Sequence, residues 1–168
     1  LTYGFSWSGG PLSDPDTIRD SAVFAAALMA ILGAHEFGHW VVARRHGFAL
    51  SLPYFIPFPI MAFGTLGAII RLRSEPQSRT ALLEMGAAGP IAGLLVAVVC
   101  MALGLPGTQE VVDIGAPGAE GLIFGNPLLM DLLGAWTLGA PPGRFDVLTP
   151  LALAAWIGCL LTCMNLLP

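Results

Sequence analysis

The 168-residue chain contains no lysine, and only 11% of its residues are charged. Its seven basic residues are all arginine, its net charge is -4, and no basic cluster is present. A nucleic-acid-binding domain carries a basic face, so the composition argues against nucleic acid as a partner. Mean hydropathy is +0.77, which is too apolar for a soluble domain of this length. The composition indicates one membrane-embedded domain.

Cysteine is also scarce. Cys100, Cys159 and Cys163 all fall within apolar segments. Their spacing matches neither a disulfide framework nor a cysteine-based zinc site. We expect them to pack as small hydrophobic side chains in helices.

Three apolar segments predict membrane-spanning helices: residues 21–45, 80–105 and 147–168. A helix rises about 1.5 Å per residue, so each can cross a hydrocarbon core of about 30 Å. Residues 1–20 are expected to form an outer loop, and residues 106–146 an outer segment. Within that segment, residues 128–140 are apolar but reach only about 20 Å, which predicts an interfacial or re-entrant helix.

Residues 48–70 have a different pattern. Pro53, Pro57 and Pro59 forbid a continuous helix. Aromatic and β-branched residues around Gly64 predict two short strands and a turn, hydrophobic enough to enter the bilayer. Irregular backbone at that depth must be covered by protein or line a wet cavity. The pattern favours a membrane re-entrant β-hairpin over a loop on the membrane surface.

The predicted fold is therefore an all-α polytopic membrane protein with about three transmembrane helices, the β-hairpin and an interfacial helix. The whole chain, residues 1–168, forms one domain. No basic signal-peptide head precedes Leu1 and no polar tail follows Pro168, so the sequence is expected to be a piece of a longer protein.

The arginines predict the topology. Five of the seven lie in the connection between the first two spans: Arg44, Arg45, Arg71, Arg73 and Arg79. By the positive-inside rule this connection is cytoplasmic and the N-terminus lies outside. The first and third spans then run in the same direction. Residues 35–39 and 165–168 are accordingly expected at one depth, near the cytoplasmic face.

The ionisable residues of the first span are concentrated in one pentapeptide, His35-Glu36-Phe37-Gly38-His39. Residues four apart share a helix face, so His35 and His39 can offer two imidazoles to one metal ion. Glu36 stands beside them as a base for the attacking water. A carboxylate at this depth costs roughly 2.5–3.5 kcal/mol, which a bound cation would offset. The spacing favours one zinc per chain over a polar helix contact or a proton relay.

A catalytic zinc needs a third protein ligand and an open position for water. Glu84 lies on the correct side and is a weak candidate, whereas His46 lies about 10 Å along the helix from His39. Gly89 and Gly93 have the spacing of a small-residue packing motif, for which we expect simple helix packing. Gly38, between the two histidines, either admits substrate or serves helix packing.

Three motifs together resemble the site-two proteases, zinc metalloproteases that cut within the membrane. They are residues 35–39, Gly89-Pro90-Ile91-Ala92-Gly93 and Asn165-Leu166-Leu167-Pro168. The stretches 51–59 and 64–68 are similar to the branch shared by bacteria and plant chloroplasts. The resemblance covers nearly everything from residue 21 to residue 168.

The resemblance implies that His35 and His39 bind zinc and that Glu36 is the general base. It implies that Asn165 lies near the substrate or the developing oxyanion, and that Pro168 turns the chain. In the family the third ligand is the Asp of Asn-x-x-Pro-x-x-x-x-Asp-Gly, a position beyond Pro168.

The resemblance also implies that the 48–70 element, with Gly64 and Thr65, presents an extended substrate by strand addition. The expected function is hydrolysis of peptide bonds in transmembrane segments of membrane-protein substrates, within the lipid bilayer. Two alternatives use the same histidines: a non-proteolytic membrane metal-binding or transport protein, and a pseudoprotease that only binds membrane partners. The residues indicate no particular oligomeric state.

Overall fold

The computed structural model describes residues 14–48, 51, 54–57, 65–69, 78–108, 128–138 and 148–164. Within these ranges lie helices α1 (Pro15–Arg45), α2 (Arg79–Gly104), α3 (Leu128–Leu138) and α4 (Pro150–Met164). Strands β1 (Tyr54–Pro57) and β2 (Thr65–Ile69) come between α1 and α2, and a short 3-10 turn, Leu105–Gly107, follows α2.

Helix α1 begins earlier than the predicted span. Asp14 is its N-cap, because one carboxylate oxygen accepts hydrogen bonds from the main-chain N–H and the hydroxyl of Thr17 at 3.2 and 2.9 Å. Pro15 occupies the first helical position, where its missing N–H costs nothing. The helix therefore takes up residues 15–20 of the predicted outer loop, whereas residues 1–13 lie outside the described residues.

Helices α1 and α2 are antiparallel neighbours that approach closely. A Cβ atom on Gly38 would lie 2.9 Å from Ala92 Cβ and equally near the carbonyl carbon of Ala88. One to two turns further along α1, Ala43 shares a buried cluster with Ala81, near the start of α2. The contacts move backward along α2 as α1 advances, so the two helices run in opposite directions.

Helix α4 packs against both and runs parallel to α1. A Cβ atom on Gly158 would lie 2.8 Å from Ile31 Cγ2, and one turn further on in both helices Thr162 and His35 meet at Gly93 of α2. At the other end of the bundle, the Thr149 hydroxyl donates to the Gly104 carbonyl at 2.9 Å. This is the relative direction that the arginines predict for the first and third spans.

The core of the bundle is apolar and fully buried at its centre. One buried cluster contains Ile31, Met101 and Ala155. Met130 of α3 belongs to the same cluster, so α3 packs against the other helices. By contrast, large apolar side chains on the outer surface of α2 are exposed: Leu83, Ile91, Leu95, Val99 and Leu103. An apolar surface of this extent is what a lipid-facing helix presents.

Among the described helices, two are long and apolar enough to cross a membrane: α1, and α2 with its 3-10 turn. Both fit an integral membrane protein. Helix α4 covers 15 residues of the predicted third span, residues 147–168, and the last four of these lie outside the described residues. Three spans therefore stay a prediction. The helix predicted within residues 128–140 is present as α3, and its interfacial position stays a prediction.

The strands form a two-stranded antiparallel sheet within the 48–70 segment. Tyr54 pairs with Ile69, Phe55 with Ala68 and Pro57 with Thr65, and the register shifts between Phe55 and Pro57. The connection between the strands, including Gly64, lies outside the described residues. The predicted depth of this element in a bilayer stays a prediction.

Candidate metal centre

His35 and His39 lie one turn apart on α1, as their spacing predicts. Their Nε2 atoms are 3.1 Å apart, and the ring planes meet at 71°. The side chain of His35 is buried, with 2% of its surface exposed. Two imidazole nitrogens therefore converge on one point inside the bundle.

The ring of His39 is oriented by the neighbouring helix. Its Nδ1 lies 2.7 Å from the main-chain carbonyl oxygen of Met85 on α2. A carbonyl oxygen only accepts, so Nδ1 carries the proton and Nε2 of the neutral ring keeps its lone pair. A metal-binding histidine needs this tautomer, and its other N–H is commonly held by a carbonyl in this way.

Gly89 and Gly93 do more than the simple helix packing expected of them. A Cβ atom on Gly89 would overlap the imidazole ring of His39. A Cβ atom on Gly93 would lie 3.1 Å from His35 Cβ and 3.3 Å from His35 Nδ1. Each glycine therefore makes room for one of the two rings. Gly38 packs against the backbone of α2, so of its two expected roles the structure favours helix packing.

Glu36 follows His35 directly and is partly buried. On the helix it lies one residue away from the face that carries the two histidines. A carboxylate in this position can serve as a base next to the pair of imidazoles.

Glu84, the weak candidate for a third ligand, lies where α1 ends and α2 begins, away from the histidine pair. Glu84 Oε2 lies 2.7 Å from Nε2 of His46, where the end of α1 meets the start of α2. Both side chains are partly or largely exposed. In the part of the chain that the structure describes, no group of three His, Cys, Asp or Glu side chains could hold a metal ion. In this structure Glu84 is paired with His46 at the bundle edge and does not lie with the two histidines of the pair.

The two histidines fit two of the ligands of a catalytic zinc. Two nitrogens that bind one tetrahedral zinc, each at about 2.0–2.1 Å, lie about 3.3 Å apart, close to the spacing seen here. The hydrogen bond from His39 to Met85 supplies the outer partner that such a ligand needs. Borderline-soft imidazole nitrogen is also a ligand that zinc prefers.

The other predicted site residues are not brought to this pair within the described ranges. Asn165, Pro168 and Gly64 lie outside the described residues. Thr65 is the first residue of β2 and pairs with Pro57. Sequence reasoning missed the contact of His39 with the backbone carbonyl of Met85. It also missed the meeting of Thr162 and His35 at Gly93, which depends on the packing of a third helix.

The described fold is a helical bundle with two helices long and apolar enough to cross a membrane, and the first of them carries two imidazoles whose Nε2 atoms converge. Comparison with known families gives the assignment. The model of peptidase family M50 matches residues 23–168, and the chain belongs to this family. Membership confirms the resemblance to the site-two proteases.

Several curated proteins that this chain is similar to are chloroplast proteins described as probable zinc metalloproteases. EGY2 of Oryza sativa subsp. japonica is 32% identical over 157 residues, which cover 91% of this chain and 28% of that protein. EGY2 of Arabidopsis thaliana is 31% identical over 160 residues, which cover 91% and 27%. EGY1 of Arabidopsis thaliana is 33% identical over 147 residues, which cover 86% and 26%.

The chain thus spans about a quarter of the length of the curated relatives it matches. Their names agree with the branch shared by bacteria and plant chloroplasts. No solved structure matches this chain.

Proposed function

We propose that the chain is the catalytic core of an intramembrane zinc metalloprotease. The proposed reaction is hydrolysis of a peptide bond in a transmembrane segment of a membrane-protein substrate. The observation that carries the proposal is the pair of Nε2 atoms of His35 and His39, 3.1 Å apart inside a helix long enough to span a membrane. The zinc metalloprotease names of the relatives support the same chemistry.

His35 and His39 would hold one zinc ion through their Nε2 atoms. When bound, zinc supplies a Lewis acid that polarises the scissile carbonyl and lowers the pKa of a water ligand toward about 7. Met85 keeps the lone pair of His39 on Nε2 through its hydrogen bond to Nδ1. Glu36 takes the proton of the attacking water and passes it to the leaving amine.

Substrate binding is proposed for residues around this centre. The β1–β2 sheet would add an extended substrate strand at one edge, with Gly64 and Thr65 in the binding element. An extended backbone exposes carbonyl groups that a helix shields from attack. Asn165 and Pro168 would lie beside the substrate, and an Asp beyond Pro168 would complete the ligands.

The proposed orientation places the start of α1 outside and the histidines near the cytoplasmic face. The arginines Arg44, Arg45 and Arg79 support it, since they lie at the ends of α1 and α2 that meet on that side. The bilayer and a transmembrane substrate are the proposed partners.

The first test is the zinc content of the full-length protein in detergent, compared with a His35→Ala/His39→Ala double variant. We expect about one zinc per chain in the wild type and none in the variant. Absence of zinc from the wild type after reconstitution would contradict the proposal and favour a pseudoprotease. Zinc with no cleavage of any reconstituted transmembrane substrate would favour a metal-binding or transport protein.

A further inference from the structure

Thr162 lies near the end of α4 and its side chain is buried, with 4% of its surface exposed. Its hydroxyl has no hydrogen-bond partner among the described residues. A threonine inside a helix ordinarily donates to the carbonyl four residues earlier. Thr137 on α3 does so, to the Leu133 carbonyl at 2.7 Å. Thr162 departs from this arrangement, and a buried hydroxyl without a partner lowers stability.

The hydroxyl lies where three helices meet. A Cβ atom on Gly93 of α2 would lie 3.2 Å from Thr162 Oγ1 of α4 and 3.3 Å from His35 Nδ1 of α1. The hydroxyl oxygen and the ring nitrogen therefore border the same small space, which the missing side chain of Gly93 leaves open. Thr162 therefore brings a polar atom to the space that His35 Nδ1 also borders.

The His35 nitrogen that borders this space is Nδ1, and it is not the nitrogen that faces His39. Nε2 of His35 points to Nε2 of His39, so Nε2 is the atom available to a metal. When Nε2 of a neutral imidazole binds a metal, Nδ1 carries the proton and needs an acceptor. His39 has such an acceptor in the carbonyl of Met85.

We propose that Thr162 is the positioning residue of His35: its hydroxyl oxygen accepts a hydrogen bond from His35 Nδ1–H when Nε2 holds the metal. The inference rests on the proposed zinc centre. Each ligand is then oriented by a different helix, His39 by the backbone of α2 and His35 by a side chain of α4.

The experiment compares Thr162→Val, which removes the hydroxyl and keeps the branched shape, with Thr162→Ser, which keeps the hydroxyl. The matched control is Ser21→Ala on α1. The Ser21 hydroxyl is also buried and has no partner among the described residues, and it lies about 21 Å along the helix from His35. All variants are made in the full-length protein in detergent.

Zinc affinity is measured by competition with a chelator, and the ligand geometry by the absorption spectrum of the Co2+ form. We expect Thr162→Val to bind zinc about 10–100-fold more weakly and to shift the Co2+ bands. Thr162→Ser and Ser21→Ala should bind zinc as the wild type does. In the metal-free form, Thr162→Val should unfold at the wild-type temperature or above, because it replaces an unpartnered hydroxyl by a methyl group.

Wild-type zinc affinity and Co2+ spectrum in Thr162→Val would overturn the inference and leave the proposed function standing. Equal losses of zinc affinity in Thr162→Val and Thr162→Ser would also overturn the inference, because they would show that the Thr162 side chain matters for packing and not for its hydroxyl. Thr162→Ala serves as a second variant without the hydroxyl, and failure of both Thr162→Val and Thr162→Ala to fold would also overturn the inference. If the wild type binds no zinc, the inference falls together with the proposed function.

Discussion

His39 Nδ1 lies 2.7 Å from the carbonyl oxygen of Met85, so the second long helix sets the tautomer of a histidine that the first one carries. Because a carbonyl cannot donate, this hydrogen bond leaves the lone pair of His39 on Nε2, the atom that faces His35. The relationship depends on how closely α1 and α2 approach, and that approach depends on glycine.

Gly89→Ala is expected to displace the His39 ring, because the added Cβ atom would overlap it. We expect zinc affinity to fall at least about 10-fold, as for the loss of an outer partner of a metal ligand. Gly86→Ala is the matched control on the same helix, since a Cβ atom at that position would meet no described side chain or neighbouring helix within 4 Å. Chelator competition on both variants measures the difference. Equal affinities would contradict the steric role of Gly89.

Glu36→Gln is expected to keep zinc and to lose cleavage. The amide cannot take a proton from water, and general-base catalysis contributes about 10²–10⁴-fold to rate. Zinc analysis and cleavage of a reconstituted transmembrane substrate measure the two properties on one preparation. The His35→Ala/His39→Ala variant, without zinc, serves as the reference for complete inactivity. Cleavage at the wild-type rate by zinc-loaded Glu36→Gln would refute the assignment of the base.

Glu84→Gln tests the placement of Glu84 away from the histidine pair. Its contact with His46 is solvent-exposed, and such pairs contribute only about 0–1 kcal/mol to stability. We therefore expect a small change in unfolding temperature and an unchanged zinc content. Loss of zinc from this variant, with the protein still folded, would show that Glu84 is a ligand after all.

Asp14 is expected to make the start of α1 sensitive to acid. Hydrogen bonds from Thr17 lower the pKa of the Asp14 carboxyl below its ordinary value of 3.8. A pKa that is lower in the folded state than in the unfolded state stabilises the fold at pH values above the unfolded-state pKa. This stabilisation is lost as the pH falls through the folded-state pKa. Stability should therefore drop below about pH 4 more steeply in the wild type than in Asp14→Asn, which keeps a cap but does not titrate.

Thermal unfolding of these two proteins at pH 7 and at pH 3 provides the measurement. Thr17→Val, which removes one of the two hydrogen bonds to Asp14, should lie between them in its response to acid. Parallel pH profiles of the wild type and Asp14→Asn would show that the cap does not contribute through its charge.

The sequence is sufficient to predict the features that depend on one helix alone. The spacing of His35 and His39 predicts their shared face, and the structure brings their Nε2 atoms together. The parallel direction of α1 and α4 involves more than one helix. It is predicted because the arginines mark the connection after the first span and one antiparallel span then separates the two helices along the chain. Periodicity and proline content likewise predict that residues 48–70 leave the helical pattern.

Features that depend on the register between helices are not available to sequence reasoning. The spacing of Gly89 and Gly93 is the same whether they face another backbone or an imidazole ring, and only the packed bundle shows the rings there. Thr162 carries no local signal, because its importance comes from the residue that α1 places opposite it. Asp14 is a residue type that often caps a helix, and it marks the start of α1 at Pro15. Hydrophobicity alone places the start of the helix at residue 21.

The parallel arrangement of α1 and α4, with α2 antiparallel beside them, has a consequence for biogenesis. Both histidines are synthesised with α1, before the carbonyl of Met85 or the hydroxyl of Thr162 exists. The first helix can therefore enter the membrane with its imidazoles unfixed, and their orientation comes only with the docking of later segments. A metal held by this pair as proposed would therefore bind after the helices have docked, and its binding would follow helix assembly instead of starting it.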